Sequence, residues 1–298
     1  MAVPSQIHVI IGVLFDGEGR VLIAQRPRGR HMAGRWEFPG GKLGVGEDPR
    51  AGLARELAEE LRVVVRSASP LIRLRHVYPD RNVLLDVWLV TDYEGEPQGL
   101  DAQALAWAQP DELPDRDLLE ADRAIVTALR LPQRARVISG LEELARLCGG
   151  ESETILWRLA EPPAEPLDAM VVRAARAAGH RMFALADDFE AVRIAALAGT
   201  DGAVLRWHGQ NLHVDRAGRF LVGVLCEDEA GAIDATAEGA QFLVVAPPAA
   251  PMPERELAHL CATVGIPVFA GWYPDARRAG RLKMAGAHGC AVNLGAVP

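Results

Sequence analysis

The chain has few cysteines, no block of basic residues and no long apolar run. Its four cysteines are Cys148, Cys226, Cys261 and Cys290. All lie from residue 148 onward, and no two stand at metal-ligand spacing. They read as buried small apolar residues of a reducing compartment rather than as a disulfide framework. The formal net charge is -8 and the pI about 5.5. With no basic cluster, duplex nucleic acid is not an expected partner. An acidic chain can still hold anionic phosphate through a metal or a few local Arg and Lys. The opening MAVPSQIHVI lacks the basic start and long apolar stretch of a secretory signal. No apolar run approaches the roughly 18 residues of a membrane span. A cytoplasmic enzyme with no membrane partner is the expectation.

What is present reads as two globular domains. Hydrophobic residues make up 49% and charged residues 24%, which fits a folded globular chain. At roughly 150 residues per domain, 298 residues predict two. Residues 7–15 read as a strand closed by Asp16-Gly17-Glu18-Gly19, and 21–25 as the second arm of a hairpin. Trp36-Glu37-Phe38 reads as a short extended piece ahead of Gly40-Gly41. Asp48-Pro49 opens a helix, Asp as N-cap and Pro in the first turn. Leu53, Leu57 and Leu61 give that helix its buried stripe. Strands follow at 71–77 and 82–90, then a helix over about 120–131, with 131–134 as the linker. Beyond it, apolar runs at 136–139, 154–158, 181–185, 202–205, 220–225, 242–246, 267–270 and 289–292 alternate with helical stretches. Those stretches lie at 141–147, 169–178, 189–198, 230–238, 254–264 and 275–285. Apolar strands separated by helices predict parallel βαβ units. Eight of them in about 165 residues predict a small (β/α)₈ barrel, with an open doubly wound sheet as the alternative. The fold class is α/β in both halves.

One segment carries chemistry. It runs Gly41-Lys-Leu-Gly-Val-Gly-Glu47, then seven residues, then Arg55-Glu56-Leu57-Ala58-Glu59-Glu60-Leu61-Arg62-Val63. At roughly 100° per residue, Glu56, Glu59 and Glu60 fall within an arc about 100° wide beside the leucine stripe. Glu56 and Glu60 are a like-charge i,i+4 pair. They repel by a few tenths of a kcal/mol in water, and more beside a low-dielectric wall. A divalent cation is the natural compensation, and hard oxygen ligands select Mg²⁺ or Mn²⁺. Glu47 can add a carboxylate from the loop. A solvated helix face would account for RELAEEL alone, but not for the fixed loop ahead of it. Seven specified positions, Gly41, Glu47, Arg55, Glu56, Leu57, Glu59 and Glu60, arise by composition on the order of once in 10⁸ starts.

The segment resembles the Nudix box, Gly-x5-Glu-x7-Arg-Glu-aliphatic-x-Glu-Glu-x-Gly-aliphatic. One departure is visible: the last Gly, which closes the helix, is Arg62, so a different helix exit is expected. The resemblance implies that Glu56, Glu59 and Glu60 are metal ligands and that Gly41 offers its carbonyl to the metal. It implies that Glu47 and Arg55 steady the carboxylates. It also implies Mg²⁺-dependent cleavage of a nucleoside diphosphate linked to another group, by in-line attack of water. Glu59 and Asp101 are the two candidate bases.

The likeness extends to the MutT group over nearly all of residues 5–131. It runs through Ala24-Gln-Arg-Pro, His31 to Lys42, Tyr78-Pro79-Asp80-Arg81, Glu94-Gly95-Glu96-Pro97 and Trp107. It implies hydrolysis of the nucleoside triphosphate 8-oxo-dGTP to monophosphate and pyrophosphate, which keeps an oxidised base out of DNA. Arg26, His31, Phe38 and Arg81 would surround the nucleotide, and Phe38 and Tyr78 would face the base. Where that group reads the purine with Asn, this chain has Asp122. Ionised Asp offers only acceptors. It could take the N1–H and N2–H edge of guanine or the amino group of cytosine, so a cytosine triphosphate is the alternative substrate.

Residues 135–298 resemble the thiamine phosphate synthase/TenI group of small barrels. The cues are the eight-strand pattern, Ile155-Leu-Trp-Arg-Leu159, Gly223-Val-Leu-Cys-Glu227, Gly265-Ile-Pro-Val-Phe-Ala-Gly271 and Ala285-Gly-Ala-His-Gly-Cys-Ala-Val292. The group's polar loop motifs have decayed to Ala186-Asp187, Val204-Leu205-Arg206-Trp207, Pro247-Pro248-Ala249-Ala250-Pro251 and Gly271-Trp272-Tyr273. Asp187, Arg206 and His208 read as ordinary surface polar residues, with the lining of a pocket as the alternative. The expected architecture is a Nudix α/β/α sandwich with a mixed sheet at 1–132, joined to a catalytically degenerate TIM-like barrel at 135–298. The barrel's ligand is left open. The competing readings are a thiamine-pathway enzyme, acting in the barrel or on thiamine-type pyrophosphates at the Nudix site, and a barrel that serves only for docking.

Overall fold

The computed structural model describes residues 6–78, 81–138, 154–158, 165–212, 219–247, 250–271 and 276–292. Contacts divide the chain into two compact units, Met1–Arg130 and Leu131–Pro298. No helix among the described residues is long and apolar enough to cross a membrane.

The first unit contains β1 (Gln6–Leu14), β2 (Val21–Gln25), β3 (Trp36–Glu37), β4 (Gly40–Lys42), α1 (Pro49–Leu61), β5 (Val64–Val77), β6 (Asn82–Glu94), β7 (Leu105–Ala108) and α2 (Arg123–Leu129). One sheet is mixed, in the order β4-β1-β6-β5, with β1 and β6 parallel and the outer pairs antiparallel. The other is antiparallel, in the order β3-β2-β7. β1 is apolar on both sides because both are covered. Ile10 and Leu14 pack with Leu53, Leu57 and Leu61 of α1, while Ile11 and Val13 pack with Ile23, Val87, Ile125 and Val126.

The expected hairpin of β1 and β2 does not form. The two share only the bridge between Phe15 and Val21, then enter different sheets. Both edges of β1 are already taken, by β4 and β6. Strand β5 also begins earlier than the predicted 71. Its first half is interrupted by register shifts around Val65, Ser67 and Pro70. A proline has no N–H for the ladder and sits at such irregularities. The predicted helix at 120–131 opens as a 3₁₀ turn, Glu120–Asp122, before α2.

The second unit contains β8 (Arg134–Ile138), β9 (Thr154–Arg158), α3 (Glu165–Ala177), β10 (Arg181–Ala186), α4 (Phe189–Leu197), β11 (Gly202–Arg206), β12 (Leu221–Cys226), α5 (Glu229–Ala237), β13 (Phe242–Val245), α6 (Glu254–Val264), β14 (Val268–Gly271), α7 (Ala276–Met284) and β15 (Gly289–Val292). Over the described residues, each apolar run read from the sequence coincides with a strand to within a residue or two at its ends. β15 pairs in parallel with β8 and closes the barrel, which excludes the open sheet. The helix expected at 141–147 lies outside the described residues. The closed interior is packed: Phe183, Phe242 and Phe269 meet edge to face at 5.3 and 6.1 Å among Leu156, Val204 and Val244.

The predicted linker is built into the barrel. His288 Nε2 lies 2.9 Å from Leu131 O, Thr154 Oγ1 donates to Pro132 O at 3.2 Å, and Cys290 N–H donates to Gln133 O at 3.2 Å. Cys226, Cys261 and Cys290 are buried free thiols, as expected. Burial pushes Cys226 and Cys261 up to about 12, which leaves them inert. Cys148 lies outside the described residues.

Candidate active site

The acidic cluster is assembled by α1 and the loop ahead of it. Asp48 Oδ1 accepts from Arg50 N (3.0 Å) and Ala51 N (3.1 Å), and Pro49 supplies the first turn. Gly52, Leu53, Leu57 and Leu61 are buried, so the glutamates lie along the edge of the packed face. The exit at Arg62 departs from the sequence expectation. Arg62 adopts φ 58 and ψ 33, and its N–H donates to Ala58 O at 3.1 Å. This is the left-handed closing turn that glycine favours. The substitution changes its cost, by roughly 1–2 kcal/mol, and not its shape.

Two glycines let the loop backbone lie close to β1 and to the helix. At Gly40, φ is 148 and an added Cβ would lie 2.1 Å from Ile10 O. At Gly41 it would lie 2.2 Å from Glu56 Oε2. At Gly40 the obstacle is backbone and φ is positive, so only glycine fits; at Gly41 it is the movable end of the Glu56 side chain. Gly40 N–H donates to Glu60 Oε2 at 3.1 Å.

Arg55 is the hub of the cluster. It grips Glu47 with two bonds, Nε to Oε1 at 2.8 Å and Nη2 to Oε2 at 2.9 Å. Its Nη1 donates to Glu56 Oε1 at 2.9 Å and to Glu59 Oε2 at 3.4 Å, and Nη2 reaches Lys42 O at 3.2 Å. The bonds from Arg55 and from Gly44 N–H hold the Glu47 carboxyl down at about 2. Glu60 is the opposite case. Burial pushes it up to about 7, and Glu37, Glu56 and Asp101 push in the same direction. Glu59 is the most open, 61% exposed.

This donor set fits a hard divalent cation. Glu60 sits among three further carboxylates, and the loop at Gly41 is seated directly on Glu56. Among the described residues, no three His, Cys, Asp or Glu side chains form a ready-made cage. A Mg²⁺-type ion does not need one, since it keeps several waters and shares substrate oxygens.

Asp101 is brought to the same edge by a loop tied to the end of α1. Gln98 N and Leu100 N donate to Leu61 O and Glu60 O at 3.0 Å each, and Gln103 Nε2 donates to Glu60 O at 3.2 Å. Asp101 itself accepts from Arg30 Nη2 at 2.7 Å.

A second cluster forms around β3. Trp36 N donates to Asp117 O and Leu119 N to Trp36 O, both at 2.9 Å, which lays the segment before α2 along β3. Asp122 is thereby buried, 3% exposed, with Oδ2 accepting from Phe38 N at 3.1 Å. Burial pushes Asp122 up to about 8, and Glu37 adds to this. Arg26 pairs with Glu37 through Nη1 and donates from Nε to His31 O at 2.9 Å. Tyr78 feels the charges of Asp122 and Arg26, and the Arg81 guanidinium lies 5.6 Å over its ring. Arg26, Tyr78, Arg81 and Asp122 thus share one region. The Phe38 ring is 3% exposed and belongs to the core, and the His31 side chain is exposed in the 26–35 turn.

Comparison with known proteins bears on this arrangement. The model of the NUDIX domain matches residues 10–128. The chain is 44% identical over 92 residues to an 8-oxo-dGTP diphosphatase of Proteus vulgaris, covering 31% of this chain and 82% of that one. It is 32% identical over 126 residues to the 8-oxo-dGTP diphosphatase of Escherichia coli K12, covering 42% of this chain and 98% of that one. It is 33% identical over 127 residues to the CTP pyrophosphohydrolase of the same organism, covering 43% and 94%.

The chain belongs to the Nudix family. Nudix enzymes are hydrolases that generally work with a divalent cation. The Nudix match ends at residue 128, so the barrel lies outside it. Within the Nudix unit, sequence reasoning missed Glu37, Gly40 as a donor to Glu60, and Arg30. Glu37 and Arg30 follow no helical or strand period that sets them apart from surface charge. In the barrel, Arg206 Nε donates to Asp187 Oδ1 at 3.1 Å, and His208 N–H donates to Gln210 Oε1 at 2.6 Å.

Proposed function

We propose that the Nudix unit is a Mg²⁺-dependent pyrophosphohydrolase of nucleoside triphosphates, with 8-oxo-dGTP as the first candidate substrate. The observation that carries this is the α1 cluster. Glu60 stands half-buried beside Glu37, Glu56 and Asp101, and its Oε2 accepts from the N–H of Gly40, a position where only glycine fits. Glu56, Glu59, Glu60 and the Gly41 carbonyl are read as the groups that would hold the ion. Bound there, Mg²⁺ would supply charge neutralisation for the phosphates and make phosphorus more electrophilic; Mn²⁺ has the same preferences. Arg55, clamped by Glu47, fixes the orientation of Glu56 and Glu59. Glu59 or Asp101 takes the proton of the attacking water, since both carboxylates are open to solvent.

Base choice rests on Asp122 with Arg26, Tyr78 and Arg81 around it, while His31 and Phe38 are read as substrate-binding residues on the resemblance alone. A carboxyl held at about 8 keeps its proton at neutral pH. With Oδ2 bonded to Phe38 N–H, the proton belongs on Oδ1. Neutral Asp122 offers a donor and an acceptor, as Asn does, and does not suit the two-donor edge of guanine. Oxidised guanine presents N7–H beside O6, which such a group complements. Cytosine presents its amino group beside N3, which it also complements. The second reading, a (d)CTP-type pyrophosphohydrolase, therefore stands on the same residue. One relative named for each activity supports the pair of readings, an 8-oxo-dGTP diphosphatase and a CTP pyrophosphohydrolase.

We read residues 1–132 as the catalytic domain and 135–298 as a TenI-like barrel that has lost synthase chemistry. Its interior is a packed apolar cluster. A cytoplasmic location and no duplex nucleic acid partner complete the proposal. Pyrophosphate release by the full-length protein from 8-oxo-dGTP, dGTP and dCTP is the test. Selective turnover of 8-oxo-dGTP is expected. Selective turnover of dCTP would move the assignment to pyrimidines, and release from none of them would end it. Thiamine phosphate formation by the same protein would restore the barrel's chemistry.

A further inference from the structure

The ion pair between Arg30 and Asp101 joins the 26–35 turn to the 96–104 loop at 2.7 Å. Each side is anchored without it. The loop is bonded to the end of α1, and Asp101 N donates to Gln103 Oε1 at 2.7 Å. The turn closes on itself through Gly34 N to Arg26 O at 3.0 Å and Ala33 N to Arg30 O at 3.1 Å. Breaking the pair therefore moves two side chains and leaves both backbones in place. The pair stands between the two clusters, with Asp101 in the field of Glu60 and Arg30 in the field of Glu37. The side chains are 55% and 45% exposed, so an incoming solute can reach them.

We propose that Arg30 is a phosphate-triggered latch: it holds Asp101 until the polyphosphate of the substrate draws the guanidinium away and frees the carboxylate. This rests on the nucleotide reading above. An exposed ion pair is weak, worth about fivefold at most in its own equilibrium. A guanidinium prefers a multiply charged phosphate, to which it makes two parallel N–H···O bonds. The exchange therefore runs toward the substrate. Arg30 contributes to binding directly and to the chemical step only through Asp101, for which it is a positioning residue.

The test is the affinity of the full-length protein for the α,β-methylene analogue of 8-oxo-dGTP with Mg²⁺, measured by calorimetry. Asp101→Asn removes the resting partner, so binding should tighten by roughly threefold to fivefold. Arg30→Ala should weaken it by about tenfold, and Arg30→Lys by less, because Lys keeps the charge but not the fork. The double variant should bind like Arg30→Ala alone. In turnover, Arg30→Ala should raise KM by more than it lowers kcat. Both residues are surface groups, so thermal unfolding should be unchanged in each variant. Asp101→Asn binding no tighter than the native protein would overturn the latch, as would tightening that persists without Arg30. A native protein that neither binds the analogue nor releases pyrophosphate would remove the nucleotide reading, and the latch with it.

Discussion

Asp122 holds a proton that the unfolded chain would lose near 3.8, because burial keeps its carboxyl at about 8. Stability from this group is complete below about pH 3.8, falls as pH rises, and levels off above about 8. The slope is about 1.4 kcal/mol per pH unit. Asp122→Asn has no proton to lose. Its stability relative to the native protein should therefore rise between about pH 4 and about pH 8, as measured by chemical denaturation. Parallel curves for the two proteins would mean that Asp122 is ionised when folded. Glu60 tells a related story at the metal edge. Glu60→Gln should lower turnover by roughly 100-fold or more. Its Tm should be equal to or above that of the native protein, since the carboxyl removed is crowded by three others. A large drop in Tm would make Glu60 a structural residue. The carboxylates of α1 were legible in the sequence because spacing fixes which residues share a helix face. The proton on Asp122 was not, because burial is set by the distant bonds of Trp36 to Asp117 and Leu119.

At the scale of elements, α1 is where local signals agree. Its N-cap and its leucine stripe lie within one short stretch, and each does what the sequence predicts. The exit is the exception. Arg62 occupies a left-handed turn at φ 58, and its Nη1 lies 3.5 Å from Gln98 Oε1, a long contact. Arg62→Gly should stabilise the protein by about 1 kcal/mol with activity unchanged. Denaturant midpoints with a constant slope would measure this, and a loss of stability would show that the Arg62 side chain matters more than its backbone. The strands of the Nudix unit were less legible than its helix. Pairing partners are chosen across the sheet, so β1 joining β6 rather than β2 leaves no local mark. The barrel strands were easier, because parallel strands buried on both faces read as plain apolar runs.

The whole molecule combines two units with opposite acid–base weaknesses. In the barrel, His288 is fully buried and pushed down to about 4, mainly by burial. Its Nε2 lies against Leu131 O, and its ring meets Phe269 edge to face at 5.0 Å. A depressed histidine contributes stability that is complete above its unfolded value of 6.5 and is lost as pH falls through about 4. The barrel should therefore weaken in acid, while Asp122 weakens the Nudix unit toward alkali. His288→Gln should flatten the acid side of the stability profile, and an unchanged profile would assign the acid loss to other groups. The central claim is that the α1 carboxylates hold a divalent cation. The most direct measurement is Mn²⁺ binding to the full-length protein by electron paramagnetic resonance, native against Glu56→Gln. The native protein should bind the ion and the variant should lose most of that affinity. Equal binding by both would contradict the claim.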